Sequence, residues 1–206
     1  MAGAPGYSQA RAAAKDAAAA ALPHGQAAAA RAAIAAGDAF FDTVRHALAL
    51  DPQIERMACH AGCAWCCHQI VGVTVAELAL LAETIAAMPP ERRAVIAARA
   101  ADAMALGAGM DQRQWWSARI RCPLLEDDGL CGVHAARPLP CRAYNSADDD
   151  ACRRSYLGEA VRAPVLAAQH GVWAHAQAGL AEALGQAGIA PGPLALAEGI
   201  DQIFKD

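Results

Sequence analysis

The chain is poor in aromatic residues, with three Phe, three Tyr and four Trp among 206 positions. Alanine takes their place: it occurs 57 times and accounts for much of the 56% hydrophobic content. Alanine is the best helix former and a poor strand former, which excludes a β-sandwich or a large parallel sheet. Basic charge is also short. Charged residues make up 18%, the formal net charge is -4 and the sequence pI is near 5.9. A general nucleic-acid binder needs a positive field to neutralise phosphates, so no nucleic-acid partner is expected. Long apolar runs are missing too. In the first 25 residues Arg11, Lys15 and Asp16 interrupt the alanines, which leaves no secretory signal. Residues 163–181 lack Asp, Glu, Lys and Arg, yet Gln169, His170, His175 and Gln177 make them a packed soluble helix. No membrane partner is expected, and the localisation read from these absences is cytoplasmic. There is no GxGxxG, nucleophile elbow or kinase motif. Gly107-Ala108-Gly109-Met110 follows a helix and has no adjacent Lys-Ser or Lys-Thr, so it cradles no phosphate.

What is present is a helical pattern interrupted by cysteines. The length suits one domain with an apolar core. The reading is mainly α: a single helical domain with an irregular cysteine-rich lobe that contains a small β-hairpin. Residues 1–25 are an Ala-rich N-terminal arm, broken at Pro23 and Gly25, expected to pack weakly and be flexible because alanine buries little area. Residues 26–206 are the domain proper. A helix is predicted over 26–50, with Phe40, Phe41, Val44 and Leu48 near one face. Asp51 as N-cap and Pro52 open a short helix. Thr74 and Glu77 have capping-box spacing, and an apolar run to Met88 follows until Pro89-Pro90 stops it. Another helix is predicted over 91–106, ending at Gly107. Residues 107–121, with Trp115 and Trp116, are mixed. Residues 122–125 are expected to pair with 130–134 across Asp127-Asp128-Gly129. Helices over 164–186 and 194–204 close the chain.

Eight cysteines fall in two groups. The first is Cys59, Cys63, Cys66 and Cys67; the second is Cys122, Cys131, Cys141 and Cys152. Cytosolic thiols are kept reduced, so metal or redox chemistry is favoured over four disulfides. Positions 59, 63, 66 and 67 share one face of a helix. A straight helix would nevertheless put Cys59 and Cys67 about 12 Å apart along its axis, too far for one zinc with sulfurs at about 2.3 Å. Either the segment turns at Gly62, or the four serve a wider polynuclear cluster, or they divide between two sites. Vicinal Cys66 and Cys67 favour the last two, because adjacent side chains diverge on a helix. A Cys63 placed at a helix N-terminus would have its thiol pKa lowered. In the second group, prolines and a hairpin hold sulfur at low entropic cost. Arg137 and Arg142 flank Cys141. They either compensate thiolate charge or pair with Asp127, Asp128 or Asp148 to Asp150.

The order Cys-x3-Cys-x2-Cys-Cys, then Cys-Pro-x7-Cys-x-Val-His-x2-Arg-Pro-x2-Cys-Arg-x-Tyr, then a last Cys, resembles the CxxCxxCC-type zinc- or iron-chelating domain. That group contains the YkgJ-type cysteine-cluster proteins and is similar to the flagellin lysine N-methylases. The resemblance spans residues 59–152. One departure is the three residues between Cys59 and Cys63, where the family pattern has two. The resemblance implies binding of a metal ion, as zinc, iron or an iron–sulfur cluster, through Cys59, Cys63, Cys66, Cys67, Cys122, Cys131, Cys141 and Cys152.

The histidines beside the cysteines, His60, His68 and His134, are read as neighbours rather than ligands, because eight thiols suffice for two tetrahedral ions. His170 and His175, five apart, form no clean pair. Trp65, Trp115 and Trp116 are read as core before shield. Tyr144 donates to sulfur or packs. Asp148 to Asp150 solvate, or cap the helix carrying Cys152 behind Ser146. The function expected is metal binding. One alternative is an enzyme similar to the lysine N-methyltransferases with an iron–sulfur centre, although no methyl-donor pocket is legible. The other is a cytosolic copper-buffering thiol bundle, whose cysteines would repeat along several long helices. All these readings require residues 59–67 and 122–152 to meet.

Overall fold

The computed structural model describes residues 6–205; the first five residues of the Ala-rich arm, and Asp206, lie outside them. The described chain is mainly α. Its longer helices are α1 (Tyr7–Ala21), α2 (Gln26–Ala47), α4 (Val75–Ala86), α5 (Pro90–Leu106) and α9 (Ala167–Gln186). Shorter ones are α3 (Asp51–Ile54), α6 (Gln112–Ala118), α7 (Leu139–Ala143), α8 (Asp149–Tyr156) and α10 (Leu196–Ile203).

Helices α1, α2 and α9 pack together, with α4 and α7 alongside, so the described part of the Ala-rich arm is closely packed and not the weakly packed, flexible arm its composition suggests. Alanine is the reason they approach so closely. Ala14, Ala18, Ala30, Ala33 and Ala176 are fully buried. At Gly179 a Cβ would lie 2.2 Å from the Arg11 carbonyl oxygen, so two backbones nearly touch there. Small residues bury little area each, but they shorten the interaxial distance and let whole helix backbones pack.

A second core joins Val73, Leu81, Ile85, Ile96, Leu124, Val133 and Ile200, and Cys122, Cys131, Cys141 and Tyr144 pack against it. The two cores share α4. Its start is the expected capping box: Glu77 N–H donates to Thr74 Oγ1 at 3.2 Å and Thr74 N–H to Glu77 Oε2 at 2.7 Å. Helix α6 begins with a second such box, Asp111 and Gln114, inside the segment whose sequence looked mixed.

Three boundaries differ from the sequence reading. Leu50, not Asp51, caps α3. Residues 194–195 form β2, which pairs antiparallel with β1 (Gly72–Val73), so α10 starts only at Leu196. The expected hairpin over 122–134 shrinks to a single bridge between Leu125 and Cys131. Pro123 has no N–H to give a ladder, and the amides of Leu124 and Leu125 turn back toward Cys122 instead. Among the described residues no helix is long and apolar enough to cross a membrane.

Candidate metal centre

The two cysteine groups meet. The Cys122 N–H donates to the Cys67 carbonyl at 2.8 Å, and the Ala58 N–H donates to the Ser146 carbonyl at 2.9 Å. The Cys59 turn and the 126–131 loop touch at two glycines. Gly62 (φ +88°) makes a turn, one of the three arrangements that the spacing from Cys59 to Cys67 left open, and Gly129 (φ +81°) packs on it. A Cβ on Gly129 would lie 2.9 Å from the Gly62 carbonyl oxygen. Gly129→Ala is therefore expected to cost about 2 kcal/mol, from left-handed backbone strain and this clash. It should also reduce bound metal; thermal unfolding and metal per chain measure both.

After Gly62 the chain enters a 3₁₀ turn over Trp65–His68. Cys63 thus precedes the turn instead of opening a helix, and the nearby Trp65 amide favours its ionisation. The same arrangement recurs. The Ser146 N–H donates to the Cys59 sulfur at 3.2 Å, and the amides of Leu124 and Leu125 near Cys122 and of Val133 near Cys131 favour ionisation of those thiols. Backbone donors aimed at sulfur favour the thiolate over the thiol.

Burial opposes them. It pushes the Cys59, Cys63 and Cys131 thiols up, Cys122 up to about 12 and Cys141 well above its ordinary value. At Cys66 the hydrogen bond with Cys67 raises the pKa most, followed by burial. The apolar wall beside Cys122, including Val71, Trp115, Ile120 and Leu196, accounts for its large shift. All eight cysteines are free thiols. Among the described residues no three Cys, His, Asp or Glu side chains stand around one point closely enough to hold an ion. The thiols form a loose neighbourhood whose ordering is clear. The thiols acting most strongly on Cys59 and Cys63 include Cys66 and Cys152. Those acting most strongly on Cys122, Cys131 and Cys141 come from this trio and Cys66.

Cys152 reaches the first group through α8. The Tyr156 ring lies 5.2 Å from Trp65, 4.8 Å from His68 and 5.8 Å from Trp116, with the Arg119 guanidinium 5.1 Å above it. This cluster holds α8 against the 65–68 turn. Of the two readings of Asp148, solvation or capping, the structure shows capping: it accepts the Ala151 N–H at the start of α8. Trp115 is buried in a separate core with Ala103, Ile120 and Ala197. Cys141 is placed by Glu77, whose Oε1 accepts the Leu139 N–H of α7 at 2.8 Å. Sequence reading had Glu77 only as a cap of its own helix, and a contact 62 residues away leaves no local signal.

The two arginines part company. Arg142 donates to the carbonyls of Ala135 and Arg137, lies 3.8 Å from Asp38 and covers Trp173. The aspartates considered as partners are taken elsewhere: Asp127 pairs with Arg99 and Arg121, and Asp150 with Arg153. Arg137 makes no ion pair among the described residues, its Nε is buried without a partner, and its charge favours ionisation of Cys66, Cys59 and Cys131. Of the histidines, His60 and His68 engage backbone carbonyls through Nδ1, and His134 is exposed. Tyr144 lies beside Cys141 and Cys66 in a buried position that raises its phenol pKa.

No curated protein and no solved structure matches this chain. Residues 58–159 match a family model described as "Putative zinc- or iron-chelating domain", which spans every segment that brings a cysteine to the centre. The cysteine-bearing part of this chain belongs to the CxxCxxCC family.

Proposed function

We propose that the chain binds zinc or iron through Cys59, Cys63, Cys66, Cys67, Cys122, Cys131, Cys141 and Cys152. The observation that carries this reading is the meeting of two distant cysteine groups, all free thiols, through the Cys122 N–H on the Cys67 carbonyl and the Ser146 N–H on the Cys59 sulfur. Reduced thiols gathered from two stretches of chain suit a soft cation that they can share. Arg137, with a buried unpaired nitrogen, offsets part of the negative charge. A bound cation supplies the positive charge that keeps the thiolates ionised, and it cross-links the segments that carry them. The long helices α1, α2, α4, α5 and α9 carry no cysteine, which favours a centre in one lobe over a thiol-lined copper bundle.

Anaerobic purification followed by metal and acid-labile sulfide analysis tests the proposal. The expected result is zinc or iron in fixed ratio to protein, lowered in both Cys63→Ser and Cys141→Ser. A metal-free protein that takes up neither ion, or unchanged stoichiometry in both variants, would refute it. Labile sulfide with a brown chromophore would select an iron–sulfur cluster; a colourless zinc protein would select closed tetrahedral sites, which leave no position for substrate.

A further inference from the structure

We propose that Arg99 is a positioning residue for Cys131, fixing from α5 the loop that brings this sulfur to the cysteine lobe. The inference rests on the metal-binding reading above, from which it takes Cys131 as a ligand. It deepens that reading by assigning the placement of the ligand to a charged side chain on a helix that carries no cysteine.

Cys131 belongs to a loop that is tied to itself. Leu125 and Cys131 form its one bridge. Inside that bridge the Glu126 N–H donates to the Leu130 carbonyl at 2.8 Å, and beyond it the Gly132 N–H donates to the Leu124 carbonyl at 2.8 Å. These bonds join residues 124–132 into one piece, so an anchor at Leu125 or Asp127 also places Cys131.

The anchor is made of arginine. Arg92 and Arg99 are seven apart on α5 and share a face. Arg92 Nη2 donates to Glu126 Oε1 at 2.6 Å. Arg99 uses both terminal nitrogens, Nη1 on the Leu125 carbonyl at 2.8 Å and Nη2 on Asp127 Oδ1 at 2.7 Å. Arg121 meets the same two acceptors, at 2.8 Å and 3.0 Å. Arg99 stands on firm support, because Ile96 and Ala100 of α5 lie in the core against which Cys131 packs.

Exposure ranks these contacts. Surface ion pairs contribute little, and the Asp127 side chain is 83% exposed. The Arg99 side chain is only 20% exposed, and Leu125 is buried. The bond from Arg99 to that buried carbonyl is therefore the strong one, since an ionised donor shielded from water outweighs an exposed pair. Holding a carbonyl and a carboxylate at once takes the guanidinium fork, which lysine lacks.

Labelling of the metal-free full chain with iodoacetamide, read cysteine by cysteine by mass spectrometry, tests the anchor without metal. Arg99→Met keeps the apolar stem and removes the fork. It should speed labelling of Cys131 about tenfold, the weight of one charge-assisted hydrogen bond, and leave Cys152 unchanged. Arg99→Lys should fall between Arg99→Met and wild type. Zinc affinity, measured by competition with a chromophoric chelator, gives a second reading. It should weaken about tenfold in Arg99→Met, with no further loss when Arg99→Met is added to Cys131→Ser. Circular dichroism checks that helicity is kept, and Asp127→Ala, at an exposed position, should repeat both effects at smaller size. Unchanged labelling of Cys131, equal acceleration at Cys131 and Cys152, or an additive loss of affinity in the Cys131→Ser background would overturn the positioning role. Selective acceleration at Cys131 in a chain that takes up no zinc would support the anchor and overturn the metal-binding reading.

Discussion

Glu77→Ala is expected to lower folding stability by about 3–5 kcal/mol and to reduce metal binding by a residue that touches no metal. Glu77 is buried, 1% exposed, and accepts from four donors. Oε2 takes the Thr74 N–H at 2.7 Å, the Thr74 hydroxyl at 2.9 Å and the Gln177 amide at 3.2 Å, while Oε1 takes the Leu139 N–H. One carboxyl thus joins the start of α4, the start of α7 and the middle of α9. Alanine would leave the buried amides of Thr74 and Leu139 unpaired, at about 1–3 kcal/mol each, and open a cavity. Helix α7 is only five residues long and carries Cys141, so losing its anchor should displace that sulfur. For a chain of this size the loss corresponds to a fall in melting temperature of roughly 10 °C. Glu77→Gln keeps one acceptor oxygen, and its effect should be intermediate. An alanine variant within 1 kcal/mol of wild type by denaturant titration would contradict this account. Burial raises the Glu77 pKa, outweighing its donors. The raised value means that its protonated-state advantage is complete below the unfolded value, near 4.5, and is lost as pH rises through the folded one. In metal-free protein, wild-type stability relative to Glu77→Gln should therefore decline as pH rises from 4 toward neutrality.

These dependencies explain what the sequence disclosed and what it withheld. The helices over α2, α4, α5 and α9 were legible because each is long and bounded by a glycine, a proline or a capping pair. The turn at Gly62 was one of three arrangements the sequence left open, and the vicinal Cys66 and Cys67 pointed toward the other two. The pairing of β1 with β2 was not. Its strands have two residues each and lie more than 100 positions apart, so neither alternation nor a turn signal marks them. The hairpin was overread for a related reason. Apolar residues on both sides of Asp127-Asp128-Gly129 give the pattern of a ladder, but Pro123 has no N–H and the Leu125 amide donates to the Cys122 carbonyl, so pairing stops at the one bridge. Arg137 and Arg142 looked equivalent beside Cys141. Their difference comes from Asp38 and Trp173, which belong to α2 and α9 and reach the site only through the tertiary fold.

Metal uptake is expected to depend steeply on pH, the affinity of a four-thiol site rising by about four orders of magnitude per pH unit below the thiol pKa values. Every shift resolved among these cysteines is upward: burial leads at Cys59, Cys63, Cys122, Cys131 and Cys141, and the hydrogen bond with Cys67 leads at Cys66. At neutral pH those thiols are therefore protonated before metal arrives, and each one that becomes a ligand releases its proton. Competition against a chromophoric chelator between pH 6 and 8, corrected for the chelator's own titration, measures the slope. A slope below two per pH unit would show that the thiols are already ionised or that fewer of them bind. The same shifts act on the metal-free fold with a defined sign. Folded thiols hold their protons more tightly than unfolded ones, so their contribution is intact below the unfolded value of about 9 and is lost as pH rises through the folded values, about 12 for Cys122. Metal-free protein should accordingly weaken above about pH 9. Metal-loaded protein should hold through that range, because its sulfurs are ionised already and the cation compensates the charge that burial penalises.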